Sequence, residues 1–233
     1  MSVFTISDLH LSLGENKPMD VFRGWENYTE KIEANWKRFI TDNDTVIIPG
    51  DTSWGTKIEE TVKDFSFLES LPGKKILLKG NHDYWWGTAN KIHEHFEKNE
   101  FKTISILHNN AYLCEGLSVC GTRGWIYDGT AAKDEKVILR ECGRLEASIK
   151  QGIELGGKLI VFLHYPFAYG EFLCEEIFEV LKKYEIEDVF YGHIHGAGYN
   201  KSLSSYGGIK MHLVSCDCID FTPISVSHYI QNK

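Results

Sequence analysis

The chain has 233 residues, 42% of them hydrophobic, with 33 acidic against 25 basic side chains and a net charge of −8. This is enough apolar material for one sizeable core, and the expectation is a single domain over 1–233. The acidic balance repels a polyanion and disfavours extended nucleic-acid binding. No apolar run approaches the roughly 18 residues of a membrane span, and no basic, then apolar, leader opens the chain. No membrane partner is therefore expected. Six cysteines, Cys114, Cys120, Cys142, Cys174, Cys216 and Cys218, are scattered without a C-x-x-C pair. They fit the reduced thiols of a cytoplasmic protein, although the close spacing of Cys216 and Cys218 draws attention as a metal pair.

Short apolar runs predict strands at 2–6, 45–49, 75–79 and 103–107, a hairpin over 111–121, and strands at 158–163, 188–191 and 209–215. Runs such as Lys75-Ile-Leu-Leu-Lys79 and Leu159-Ile-Val-Phe-Leu163 do not alternate, as expected of strands covered on both faces. Between them, four sets recur at helical spacing: Tyr28, Ile32, Trp36 and Phe39; Ile58, Val62, Phe65 and Leu68; Ile138, Cys142, Leu145, Ile149 and Ile153; Leu173, Ile177, Val180 and Tyr184. Gly156-Gly157 stops the third set. The alternation implies an α/β protein with a largely parallel centre, to which the hairpin and the 209–215 stretch add antiparallel strands. Residues 122–132 lack a period and read as a functional loop, and 14–26 as a rim or lid.

The residues just past the strands carry the chemistry. After 2–6 come Asp8 and His10, and after 45–49 comes Asp51. After 75–79 come Asn81, His82 and Asp83, after 158–163 comes His164, and after 188–191 come His193 and His195. Open α/β sheets bind ligands at the carboxyl ends of their strands. One such residue could be a turn carboxylate or a packed imidazole, but gathering so many is costly unless cations pair with them. The donors are nitrogen and oxygen, which suits Mn, Fe, Zn or Ni rather than Ca. They are too many for one ion. Two ions roughly 3.5–4 Å apart, sharing Asp51 as a bridging carboxylate, would use them.

In order, Asp8-x-His10, Gly50-Asp51, Gly80-Asn81-His82-Asp83, His164 and Gly192-His193-x-His195 resemble the motif series of the calcineurin-like metallophosphoesterases. The resemblance implies a four-layered α/β/β/α sandwich with two central mixed β-sheets flanked by helices. It also implies a dinuclear, metal-dependent phosphohydrolase in which a metal-bridging hydroxide attacks in line. Asp8, His10 and His195 would hold one ion and Asn81, His164 and His193 the other, with Asp51 between them. Each ion would be divalent or trivalent. His82 would contact the phosphate and assist the leaving group, oriented by Asp83. The substrate would be a phosphorylated small molecule or nucleotide.

Family members that act on phosphoproteins carry Asp-Arg-Gly after the Gly-Asp motif and Glu after Asn-His. Here the chain reads Asp51-Thr52-Ser53 and His82-Asp83. That departure points to a bacterial-type small phosphohydrolase. Arg123 offers a substitute cation for substrate, or serves as a structural arginine. Tyr84, Trp85, Trp86, Trp125 and Tyr165 could wall the pocket or simply pack. His93, His95, His108, His212 and His228 read as structural or surface histidines. Phosphodiesterase or nucleotide pyrophosphatase activity shares the same ligand set and stays open, as does a non-catalytic scaffold of the same fold. The native metal pair and the oligomeric state leave no trace in the residues.

Overall fold

The computed structural model describes residues 1–125 and 135–231. In chain order the strands and helices are β1 (Val3–Thr5), α1 (Tyr28–Phe39), β2 (Thr45–Ile48), α2 (Val62–Ser70), β3 (Lys74–Leu77), α3 (Ala89–Lys98), β4 (Ile104–Ile106), β5 (Tyr112–Cys114), β6 (Leu117–Thr122) and α4 (Glu135–Leu155). There follow β7 (Lys158–Leu163), β8 (Ala168–Tyr169), β9 (Phe172–Leu173), α5 (Glu175–Lys183), β10 (Asp188–Tyr191), β11 (Ser205–Tyr206), β12 (Ile209–Leu213), β13 (Ile224–Ser225) and α6 (Val226–Gln231).

Two large mixed sheets lie between helical layers. The first has the order β13-β1-β2-β3-β4, with β1 to β4 parallel and β13 antiparallel at its edge. The second has the order β11-β12-β10-β7-β6-β5, parallel in the middle and antiparallel at both edges. The period-2 alternation of a strand assigns its apolar residues to layers. Val46 and Ile48 of β2 face an outer core with Ile32 and Trp36 of α1, Phe65 of α2 and Ile92 of α3. Ile47, between them, faces an inner core between the sheets with Ile160 and Phe162 of β7. Val161 and Leu163 of β7 face the other way, against Leu145 and Ile149 of α4 and Ile177 of α5. Strands buried on both faces therefore have no polar side to show, which is why their sequences do not alternate.

The strand at 209–215 corrects the expectation of an antiparallel addition. β12 runs parallel to β10, and the antiparallel partner is the short β11. The stretch from 192 to 208 is long enough for the crossover that a parallel pair needs. Phe39 and Ile153, expected on buried helix faces, are largely exposed at the ends of α1 and α4, and Leu173 belongs to β9 rather than to α5. Among the described residues no helix is long and apolar enough to cross a membrane. Residues 126–132 of the segment read as a functional loop lie outside the described residues.

The inner core ends where the two sheets meet. Ser7 N–H donates to Val214 O (2.8 Å) and Cys216 N–H to Ser7 O (2.9 Å), forming a parallel bridge between the chain leaving β1 and the chain leaving β12. The carboxyl ends of the central strands of both sheets are thus brought to one place.

Candidate metal centre

The loops that leave these strands carry unusual backbone. Asp8 (φ 59°), His10 (φ 45°), Asp51 (φ 51°) and His193 (φ 71°) all lie in the left-handed region although none is glycine. Such conformations cost free energy and persist where surrounding structure enforces them, commonly at functional sites. Glycine supplies the space. A Cβ at Gly80 would collide with the Asp51 carboxylate, and one at Gly192 with the Asp8 carboxylate.

The predicted ligands converge in two overlapping groups. Asp8, His10 and His195 bring their ligating atoms within 4.8 Å of one another, and so do Asp8, Asp51 and His164. Between the groups lies Asp51, whose Oδ2 is 3.8 Å from His10 Nε2 and 3.5 Å from His164 Nε2. Asn81 Oδ1 lies 2.6 Å from His164 Nε2 and 2.9 Å from His193 Nδ1. His164 Nδ1 lies 3.0 Å from Pro49 O, which requires the proton on Nδ1 and leaves Nε2 a lone pair. Asp8, also, holds the loop after β10, accepting the His193 N–H on its carboxylate at 2.9 Å.

The electrostatics suit a cation. Asp8, His10, Asp51 and His164 are all nearly or fully buried. Burial pushes Asp51 well above the usual carboxylate range, and the neighbouring Asp8 and Asp83 carboxylates push it further. Asp8 is likewise penalised by burial, yet the imidazoles of His195, His164 and His10 hold it far below that range. Desolvation lowers His10 and His164 to about 3, so both are neutral bases. His195 goes the other way. Although burial lowers it, Asp8 and Asp217 raise it to about 10. Its Nε2 is buried without a hydrogen bond, although it lies 3.4 Å from Asp8 Oδ1. Neutral imidazole nitrogens, carboxylates and an amide oxygen facing one another, with one donor atom orphaned, fit hard or borderline cations. They offer no thiolate. Cys216 is fully buried, and its thiol donates to Asp8 O at 3.0 Å, while Cys218 is exposed.

The two residues expected to act on the leaving group part company. His82 is half-buried, its ring 4.6 Å from Trp54, its Nδ1 buried without a hydrogen bond, and its backbone N–H bonded to Asp51 Oδ1 at 2.8 Å. Burial lowers its pKa. Asp83 does not orient that ring, which corrects the role expected for it. Its carboxylate accepts from the N–H groups of Asp51 (2.9 Å), Thr52 (2.9 Å), Ser53 (3.3 Å) and Gly80 (2.7 Å) and from Trp85 Nε1 (3.0 Å). A buried carboxylate so occupied fixes the loops of Asp51 and Asn81. Arg123 turns toward Glu141 (3.9 Å) and stacks over Trp125 (5.1 Å).

Three residues of this region went unread in the sequence. Asp217 Oδ1 lies 2.8 Å from His195 Nδ1. It stands just past β12, so the strand-end rule that found the others reaches it too. Trp54 stacks on His10 at 4.9 Å, and Trp25, within the segment read as a rim, packs against His10 (6.0 Å) and His195 (5.7 Å). Of the aromatics considered, Trp85 and Trp86 are core residues, Tyr84 is exposed beside His82, and Tyr165 packs on His193 at 4.3 Å. His95 is a buried histidine of α3, and His212 pairs with Asp188 at 2.8 Å in β10.

Two solved structures share this arrangement of the chain. A protein of unknown function from Aquifex aeolicus is 16% identical over 99% of this chain and 98% of its own, with a TM-score of 0.53. A protein from Thermus thermophilus is 14% identical over 96% of each chain, with a TM-score of 0.55. At such identities the likeness is one of fold. None of the curated proteins matches the sequence. The family model of the calcineurin-like phosphoesterases matches residues 1–197, from β1 to just past His195. The chain belongs to the calcineurin-like phosphoesterases.

Proposed function

We propose that this protein is a dinuclear metal-dependent phosphohydrolase acting on a phosphorylated small molecule or nucleotide. The observation that carries the reading is the position of Asp51, one carboxylate oxygen within 4 Å of imidazoles belonging to both ligand groups. Asp8, His10 and His195 would hold one cation, Asn81, His164 and His193 the other, and Asp51 would serve both. When bound, two such ions polarise phosphoryl oxygens and acidify water.

The chain's own residues do the rest. Asp83 fixes the two loops on which Asp51 and Asn81 sit, so the ligands need no rearrangement when charge develops on the phosphoryl group. Trp25 and Trp54 wall His10 and exclude water from its side. His82, half-buried beside the ligands with an Nδ1 that has no hydrogen bond, is placed to donate a hydrogen bond to the leaving oxygen. Burial lowers its pKa, so near neutrality the ring is mostly uncharged and acts by donating its one N–H.

The test is hydrolysis of a chromogenic phosphodiester and of its monoester with added Mn²⁺, wild type beside Asn81→Ala. Turnover that the variant loses supports the reading, and the faster substrate fixes the bond. Equal background rates for both proteins, in a wild type shown to hold two metals, would overturn it in favour of a binding role.

A further inference from the structure

Beside the ligand loops lies a second charged cleft, lined by Lys79, His108, Arg123, Glu141 and Arg144. Lys79 stands two residues before Asn81, so their Cα atoms are within about 7 Å of each other. Arg123 O accepts the N–H groups of His164 (3.1 Å) and Tyr165 (2.9 Å), which ties the cleft to the loop after β7.

Among the described residues, the lining of the cleft carries more positive than negative charge. Glu141 on α4 is fully buried and already engaged: Thr122 Oγ1 donates to Oε2, and Arg144 Nη1 donates to Oε1 at 2.7 Å. Arg123 Nη2 reaches only to 3.9 Å from Oε1, and Arg123 Nε is buried without a hydrogen-bond acceptor. Among the described residues lining the cleft, three cations face one carboxylate. Their crowding registers on a neighbour. His108 is lowered by burial and then by Arg144. Half-buried like charges repel more strongly than in water, and an anion would relieve them. Two guanidinium groups offer the planar donors that oxyanions match.

We propose that this cleft is an anion subsite, taking a second negatively charged group of the substrate, a phosphate or a carboxylate, while the scissile phosphoryl group occupies the metal centre. The proposal rests on the phosphohydrolase reading and narrows it to substrates with two anionic ends.

The test titrates metal-loaded protein by calorimetry with inorganic phosphate, pyrophosphate, fructose 1,6-bisphosphate and 3-phosphoglycerate. Wild type is compared with Lys79→Met, which keeps the length of the side chain and removes its charge, and with Lys79→Arg. At least one two-ended probe should bind about 10-fold more tightly than phosphate, as expected for one added charge-assisted contact. Lys79→Met should erase that preference while phosphate affinity stays near the wild-type value, and Lys79→Arg should restore it. Which probe is preferred, bisphosphate or phosphate-carboxylate, names the second group. A preference unchanged in Lys79→Met, or no preference in wild type, would overturn the subsite and leave the cations as anchors for Glu141. Failure of the phosphohydrolase reading looks different: phosphate would then bind wild type and Asn81→Ala alike.

Discussion

His195 and Asp217 meet at 2.8 Å, Nδ1 to Oδ1, across the loops that follow β10 and β12. The carboxylate can only accept, so it fixes the proton on Nδ1 and leaves Nε2 to face Asp8. That is the arrangement by which a carboxylate sets the tautomer and basicity of a metal-ligating histidine. Asp217 is in this sense a positioning residue. Asp217→Asn should lower metal affinity by about 10–100-fold, read by competition with a chromogenic chelator. Asp217→Glu should recover part of it. Wild-type affinity in Asp217→Asn would remove the residue from the site.

Asp51 should trade stability for metal. Its buried carboxylate faces Asp8 and Asp83. In Asp51→Asn the charge is gone, while an amide oxygen can still accept the His82 N–H. The chelated variant should therefore melt higher than chelated wild type by roughly 2–4 °C for each kcal/mol of relieved repulsion. The same variant should lose both ions and its turnover. A variant that keeps two metals and full rate would refute the bridging role.

His82 should matter to rate and not to metal. His82→Ala should lower turnover by about 10²–10³-fold, the usual range for a lost hydrogen-bond donor to developing charge, with two metals retained by elemental analysis. Loss of metal from the variant would move His82 into the ligand set.

Asp83 should matter to folding. Five donors point at its carboxylate from three stretches of chain. Asp83→Ala leaves buried amides unpaired and should cost at least about 3 kcal/mol in urea unfolding. A loss below about 1 kcal/mol would show that water replaces the carboxylate.

The metal-free protein should be most stable near pH 6.5. His10 and His164 are lowered from 6.5 to about 3, so between those values the unfolded chain binds more protons than the folded one. Their contribution is complete above 6.5 and is lost as pH falls toward 3, at up to about 1.4 kcal/mol per pH unit for each. His195 is raised to about 10, so its contribution is complete below 6.5 and is lost as pH rises through 10. Urea midpoints of chelated protein at about pH 5, 6.5 and 9 should pass through a maximum at the middle value. A flat profile would show that these imidazoles are hydrated.

The sequence alone determined which residues could carry chemistry. Strand ends are legible because a doubly covered strand must be apolar, so the first polar residue after it stands out. Asp8, His10, Asp51, Asn81, His164, His193 and His195 were all singled out in that way, and the alternation of apolar runs with helical periods showed the α/β class. The tertiary structure decided what the sequence left open. Whether 209–215 pairs parallel or antiparallel depends on the path of the crossover, not on the strand's own residues. The role of Asp83 depends on which amides the neighbouring loops turn toward it, a matter of backbone direction after Gly50 and Gly80. Asp217 and the cleft around Glu141 are long-range meetings, across 22 residues for His195 and Asp217 and 19 for Thr122 and Glu141. Side-chain contacts of that kind are set by how sheets and helices pack, and no local pattern along the chain records them.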